Sequence, residues 1–323
     1  MNPVVPLFLV QSAEFWADQT INGLTTGSIY ALIALGYTMV YGVLQLINFA
    51  HGEVFMIGAF AGYGTLVALG GDDISGIMIL VAILAALLAA GAASALTAAT
   101  IERVAYRPLR NAPRLAPLIS AIGVSIFLSH LVDDGFLDGK SQFYPQIFPA
   151  GNIGLGPVSI SYLQLFLIGS SLAMMAGLYW FIQRTRTGRA IRAVSESREN
   201  ASLMGVDVNR TIVITFVLGA IMAGFAGVLY GLFLSSIRGS MGFIPGLKAF
   251  TAAVLGGIGS IPGAVVGGFF LGLAESLGRE LLNEIPGVNL PNEWKDVVAF
   301  TLLVLILIFR PTGIFRQKEA KRA

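Results

Sequence analysis

The sequence predicts an all-α polytopic membrane protein of about eight or nine crossings, some of them broken or re-entrant. Three observations point there. Hydrophobic residues make up 55% of the 323 positions and charged residues only 12%, against about 25% charged in a soluble domain. Apolar runs long enough to span a bilayer recur along the whole chain. The polar stretches between them differ in sign, some acidic and some basic, as the positive-inside rule expects of short loops on opposite sides of a membrane.

The elements follow in order. Residues 1–20 carry Glu14 and Asp18 with no Lys or Arg and suit an extracytoplasmic or interfacial segment. The first apolar run, 4–10, lacks a basic leader and is too short to span, so it does not read as a signal peptide. A transmembrane domain occupies 21–310. Its first span, 21–43, stops at QLINFAHGE; a second run, 52–69, ends at the acidic GGDDIS. The third, 76–100, is rich in Ala and other small residues, which allow close helix packing in lipid. ERVAYRPLRNAPR, with Arg103, Arg107, Arg110 and Arg114 against Glu102, reads as cytoplasmic. A fourth span, 116–132, leads to a loop reaching 160, where Asp133, Asp134 and Asp138 outnumber Lys140; this loop belongs outside. The fifth span is 162–183 and the sixth 211–234. Acids again dominate 279–296, the last span is 297–309, and a basic tail, 311–323, places the C-terminus in the cytoplasm.

Segment 237–278 must then begin and end outside, which requires a hairpin or a re-entrant pair around GGIGSIPG. Non-helical backbone at membrane depth needs protein or a water-filled cavity around it. INFAHGE and GGIGSIPG are thus two interruptions, one in each half of the chain, the pattern of a transport path between pseudo-repeats. Ordinary turns between short helices are the alternative.

The longest charged stretch is 184–210, RTRTGRAIRAVSESRENASLMGVDVNR. It holds Arg184, Arg186, Arg189, Arg192, Arg198 and Arg210 against Glu196, Glu199 and Asp207. One such charge at the centre of a helix in the bilayer costs about 2.5 to 3.5 kcal/mol, so the stretch is a solvated cytoplasmic loop. Ala190, Ala193, Val194, Ser197, Ala201 and Met204 recur at three- and four-residue steps, with Arg189, Arg192, Glu196 and Glu199 on another face. A helix over 189–205, closed by Gly205 as its left-handed terminator, is expected to lay its apolar stripe on a protein partner; a topogenic basic loop with some helix in it is the equal alternative on periodicity alone.

Catalytic signatures are missing. No GxxxxGK[ST], GxSxG or HExxH pattern occurs, and with no cysteine and only His51 and His130 the chain offers neither disulfides nor a metal cage. No nucleic-acid partner, cofactor or metal is expected. Polar residues in or beside spans are few: Asn22, Gln45, Asn48, His51, Glu53, Lys248 and Glu275. Ionisable groups at membrane depth are functional candidates by default. Asn48 and His51 serve equally as caps of the helix that starts near Gly52, with Glu53 at its positive end. Lys248, and similarly Glu275, is expected to snorkel toward the outer boundary, and His130 to be interfacial.

Four stretches are more specific: NGLTTGSIYALIALGYTMVYGVLQLINFAHGEVFMIGAF (22–60), IERVAYRPLR (101–110), LISAIGVSIFL (118–128) and KAFTAAVLGGIGSIPGAVVGG (248–268). They closely resemble the LivH-type permease of branched-chain amino-acid ABC importers. The resemblance runs from about residue 20 to the last span and is positional only in 133–160. It implies a bacterial inner-membrane subunit paired with a second, homologous permease, two cytoplasmic ATP-binding subunits and an extracytoplasmic substrate-binding protein. ATP would then be bound by the partners and no cofactor by this chain. Such permeases carry a coupling helix marked E-A-A-x-x-x-G; here ENASLMG supplies Glu199, Ala201 and Gly205, with Asn200 replacing the first alanine and no downstream I-x-L-P. The resemblance therefore assigns coupling to Arg189, Arg192, Glu196, Glu199, Ala201 and Gly205. It lines the substrate path with Asn48, His51, Glu53, Gly256, Gly257, Gly259 and Gly263. Related permeases handle urea or other amides, and an ion-coupled secondary transporter would instead centre on Glu53 and Glu275.

Overall fold

The computed structural model describes residues 13–315 except 111, 114, 137, 156, 157, 286, 287 and 311. The expectations for residues 1–12, for Arg114 and for the tail from 316 onward lie outside the described residues.

Among the described residues, nine apolar helices and a polar helical loop make up the fold. The centre is α1 (Ala13–Leu44), 32 residues long and buried along most of its length. At 1.5 Å per residue it measures about 48 Å, well beyond the roughly 30 Å of hydrocarbon. It is followed by α2 (His51–Ala68), α3 (Ile77–Ile101), α4 (Leu115–Phe136) and α5 (Tyr162–Arg184). The loop forms α6 (Arg186–Glu196) and α7 (Arg198–Leu203); then come α8 (Val208–Leu234), α9 (Phe243–Gly256), α10 (Ile261–Asn283) and α11 (Trp294–Phe309). Among the described residues, six helical stretches are long and apolar enough to cross a membrane: Ala13–Leu44, Ile77–Leu109, Leu115–Gly135, Tyr162–Arg184, Val208–Leu234 and Ile261–Asn283. The chain is an all-α multi-pass membrane protein, and α2, α9 and α11 are its shorter apolar helices. With 14 residues, α9 reaches only about 21 Å and cannot cross by itself.

Close packing around α1 rests on paired glycines. Gly23 and Gly27 of α1 face Gly268 and Gly272 of α10, both with the four-residue spacing that lets helix backbones touch in lipid. A β-carbon at Gly27 would lie 2.9 Å from the Gly268 carbonyl oxygen and 2.9 Å from Cα of Phe269.

The acidic stretches gather at one end of the bundle. Asp72 accepts from the Gln146 N–H (2.7 Å), Ser276 Oγ donates to the Gln19 carbonyl (2.7 Å), and the Gly239 N–H donates to Asp133 (3.2 Å). Two small ladders lie between α4 and α5 in sequence or pair with the segment there. β1 (Gln142–Phe143) pairs antiparallel with β4 (Ser236–Ile237), and β2 (Asn152–Leu155) forms a hairpin with β3 (Val158–Ser161). Ser161 ends the hairpin and starts α5 through a capping box: its hydroxyl accepts from the Gln164 N–H and Gln164 Oε1 accepts from its own N–H.

Candidate functional site

The basic stretches meet at the opposite end, where both interruptions and the arginine-rich loop are found. The first interruption starts at Gln45, whose φ of 56° turns the chain off the end of α1. The chain then doubles back. The His51 ring lies against Gly36, eight positions before the end of α1, so α2 begins about 12 Å back along that helix. Asn48 folds the return: its Oδ1 accepts from the Ala50 N–H (3.1 Å) and, with the Ile47 carbonyl, from Tyr106 Oη (both 3.2 Å). Neither Asn48 nor His51 is the cap residue of α2: that is Ala50, which has no capping side chain, and Asn48 Oδ1 holds the Ala50 N–H rather than an N–H inside the helix. His51 is the first helical residue, with its ring edge-on to Tyr37 at 4.7 Å.

Tyr106 reaches this turn because α3 does not end normally. Residues Glu102–Tyr106 form a π-helical turn, a local widening common at functional sites. The buried Glu102 ion-pairs with Arg110, whose Nη1 also donates to Asn209 Oδ1 (2.5 Å) at the start of α8.

Glu53 is 1% exposed, one turn into α2. Its Oε1 accepts from Ser125 Oγ of α4 at 3.1 Å, and its Oε2 has no partner among the described residues. That oxygen faces the start of α9: a β-carbon at Gly242 would stand 2.7 Å from it, and Gly52 packs against the Gly242 carbonyl and Cα of Gly246. Two helix N-termini, each with a positive dipole end, therefore abut at Glu53.

The second interruption lies at the other end of α9. Gly257 (φ 103°) and Gly259 (φ 97°) form the turn, Ser260 Oγ accepts from the Gly263 N–H (3.1 Å), and Gly256 lies backbone to backbone on Gly263. Residues near the C-terminus complete it, with N–H groups of Ile314 and Phe315 donating to the carbonyls of Leu255 (2.9 Å) and Gly256 (3.0 Å). The first interruption thus runs from the basic end at Gln45 through Asn48 and His51 inward to Glu53 at the N-terminus of α9, with the Phe49 ring beside Phe250, and Gly256, Gly257, Gly259 and Gly263 form the second at the C-terminus of α9. A narrow crevice lined by Tyr37, Tyr41, Ile47, Phe250, Ala253 and Ile258 lies beside α9, and each interruption contributes an isoleucine to it, while none of the seven predicted path residues lines it.

The loop corrects one expectation. In place of one helix over 189–205 there are two, because Ser197 is extended (φ −156°, ψ 115°) and spends its hydroxyl capping α7 at the Asn200 N–H (3.2 Å). Gly205 does end α7 in the left-handed region (φ 81°), with Val206 and Gly205 N–H groups donating to the carbonyls of Ala201 and Ser202 (both 3.0 Å). Buried positions are Gly188, Ile191, Val194 and Ala201, whereas Met204, expected in the apolar stripe, is 83% exposed beside Leu203 at 80%. Arg189, Arg192, Glu196 and Glu199 point to solvent. Arg198, unmarked by any motif, clasps α1: its Nε and Nη2 donate to the Val43 carbonyl at 3.1 and 2.8 Å. Burial, then the nearby Arg110 guanidinium, lowers its affinity for the proton.

Lys248 overturns a second expectation. It does not snorkel; it is 6% exposed and ion-paired to Asp296 (2.6 Å) and Glu275 (3.2 Å). Glu275, 3% exposed, also accepts from Tyr30 Oη at 3.1 Å. The three groups come from α9, α10 and α11, far apart in sequence, so no local pattern signals the cluster. His130 is exposed and pairs with Asp134 one turn on (2.9 Å).

Residues 19–307 match the family described as branched-chain amino acid transport system / permease component. Over 316 residues the chain is 47% identical to the high-affinity branched-chain amino acid transport system permease protein BraD of Pseudomonas aeruginosa, covering 95% of this chain and 98% of that protein. It is 46% identical over 314 residues to LivH of Escherichia coli K12, with the same coverage, and 28% identical over 299 residues to a probable LivH of Methanocaldococcus jannaschii. Among solved structures, a chain titled PsaBC from Streptococcus pneumoniae in complex with Fab aligns with a TM-score of 0.45 at 14% identity, over 91% of this chain and 92% of that one. Near full-length identity to BraD and LivH, with a family match across every apolar helix but part of α1 and α11, leaves one conclusion: the chain belongs to the permease-component family of branched-chain amino acid transport systems.

Proposed function

We propose that this chain is the membrane permease subunit of an ATP-driven importer of leucine, isoleucine and valine. The observation that carries the reading is 46–47% identity along 95% of the chain to permeases named for that transport system. The chain pairs with a second, homologous permease, two cytoplasmic ATP-binding subunits and an extracytoplasmic binding protein. It lies in the bacterial inner membrane with its C-terminus in the cytoplasm, and it catalyses no reaction itself.

The arrangement suggests how the drive is delivered. An ATPase groove receives α6–α7 through the exposed Leu203 and Met204, with Arg189, Arg192, Glu196 and Glu199 at its rim. Arg198 passes the movement to the Val43 carbonyl at the end of α1, and so to the turn held by Tyr106. The segments Asn48–Glu53 and Gly256–Gly263 flank the crevice between Ile47 and Ile258, which is closed here and widens when α9 tilts. Free N–H and C=O groups at broken helix ends suit a zwitterion without requiring a fixed net charge.

Uptake of radiolabelled leucine into proteoliposomes tests this, with the subunit alone, with its partners, and with or without internal ATP. Uptake that needs the ATPases, ATP and the binding protein is expected. Uptake by the subunit alone, insensitive to ATP, refutes the reading and turns attention to Glu53 and Glu275; uptake of urea or an amide in place of leucine refutes the substrate.

A further inference from the structure

Lys248, Glu275 and Asp296 bring three charged side chains from α9, α10 and α11 to one place beside Tyr30 of α1. The Lys248 ammonium faces two carboxylates at 2.6 and 3.2 Å and stands 5.7 Å from the centre of the Tyr30 ring. A simple tie between helices needs one carboxylate for one ammonium, because each further buried ion adds a desolvation cost of several kcal/mol. Here there are two, and Glu275 Oε1 has no partner among the described residues although the residue is 3% exposed. The cluster thus holds one carboxyl group more than it has ammonium groups, and one buried acceptor atom with nothing to accept from among the described residues. Ionisable groups arranged this way within a membrane domain mark a ligand site more readily than a brace.

The two carboxylates differ in access. Glu275 is enclosed, whereas the Asp296 side chain is 41% exposed and sits in the first turn of α11. Only Ala299 of α11 is buried, so the start of this helix can move without unpacking the core around α1.

We propose that Lys248 and Glu275 form a subsite for a zwitterionic α-amino acid, with Asp296 as an internal competitor that occupies it at rest. This rests on the importer reading. The ligand carboxylate replaces the Asp296 carboxylate on Lys248, a like-for-like exchange, and the ligand ammonium donates to Glu275 Oε1. Net charge is unchanged, and the orphaned oxygen gains its partner. A carboxylate lacking the amino group would make the same exchange on Lys248 but bring no ammonium to Glu275 and leave Oε1 unpaired; the subsite therefore selects the intact α-amino acid head.

The test uses the assembled importer, this chain with its partner permease and ATPases in nanodiscs without the binding protein, and equilibrium binding of radiolabelled leucine. Saturable binding is expected, displaced by unlabelled leucine and not by 4-methylpentanoate, its analogue without the amino group. Glu275→Gln should weaken binding about tenfold, the worth of one hydrogen bond to a charged group, while Asp296→Asn, which removes the competitor, should tighten it. Opposite signs are the signature, since a brace would respond to either change with lower thermal stability and no gain in affinity. Shifts in the same direction, unchanged affinities, or equal competition by 4-methylpentanoate on the unaltered complex overturn the proposal. So does the lack of saturable binding by a complex that still performs ATP-driven uptake, and in that case the importer reading stands. Failure of the unaltered complex to take up leucine with ATP removes that reading and this one together.

Discussion

Gly205 offers a perturbation whose cost can be worked out. Its φ is 81°, and no heavy atom lies within 4 Å of where a β-carbon would be, so Gly205→Ala meets no steric obstacle. The whole penalty is backbone strain, about 1–2 kcal/mol for a β-carbon in the left-handed region. The strain falls on a helix of six residues, closed by the Val206-to-Ala201 and Gly205-to-Ser202 hydrogen bonds. The side chains of Leu203 and Met204 add little to hold that end, because both are exposed. A loss of 1–2 kcal/mol is about a 5- to 30-fold shift toward the frayed form. Hydrogen exchange of the Gly205 and Val206 amides in the assembled importer should accelerate by about that factor, while amides of α8 keep their rates. Gly205→Asn, which tolerates the same conformation, should cost a fraction of this. Leucine transported per ATP hydrolysed should then rank Gly above Asn above Ala, at constant membrane content of the chain. Wild-type exchange rates in the Ala variant, or a parallel loss of membrane insertion, would refute the reasoning.

Other perturbations follow from the packing. Gly27→Ala forces a β-carbon to 2.9 Å from backbone atoms of α10 and should lower the thermal midpoint in detergent by the equivalent of about 1–3 kcal/mol; Gly27→Val should yield no folded protein, and a normal melting curve for it would contradict the helix contact. Tyr106→Phe removes the hydroxyl shared by Ile47 and Asn48, at about 1 kcal/mol. Because the native chain has no cysteine, maleimide labelling of a single Leu46→Cys can report the loosened turn, with faster labelling expected. Arg198→Met frees the Val43 carbonyl. Uptake per ATP should fall while the ATPases remain bound in pull-down, and Arg198→Lys, which keeps the charge at the helix end but only one donor direction, should recover part of it.

Much of the architecture was legible because bilayer physics acts on local sequence. Spans at 76–100 and 162–183 return as Ile77–Ile101 and Tyr162–Arg184, since apolar length and charged flanks define them without reference to neighbours. Both interruptions were legible for the same reason: QLINFAHGE and GGIGSIPG carry turn residues inside apolar stretches. Gly205 was readable as a left-handed terminator. The loop helix was overextended because Ser197 fits a helical period equally well, and its choice of the Asn200 N–H depends on where α6 is docked.

What the sequence by itself determined is the class, the alternation of ends, the two interruptions and the polar loop, all properties of residues within a turn or two of one another. What only the tertiary structure decided is which of these meet. Glu53 faces Ser125, 72 positions away, Arg198 holds Val43 at 155, and Tyr30 reaches Glu275 at 245. Lys248 illustrates the difference. A lone lysine near a span end has a cheap exit to water, and local reasoning chooses it; two carboxylates delivered by α10 and α11 make the buried site favourable instead. A buried charge is stable only in relation to its partners, and in a helical membrane protein those partners come from other helices.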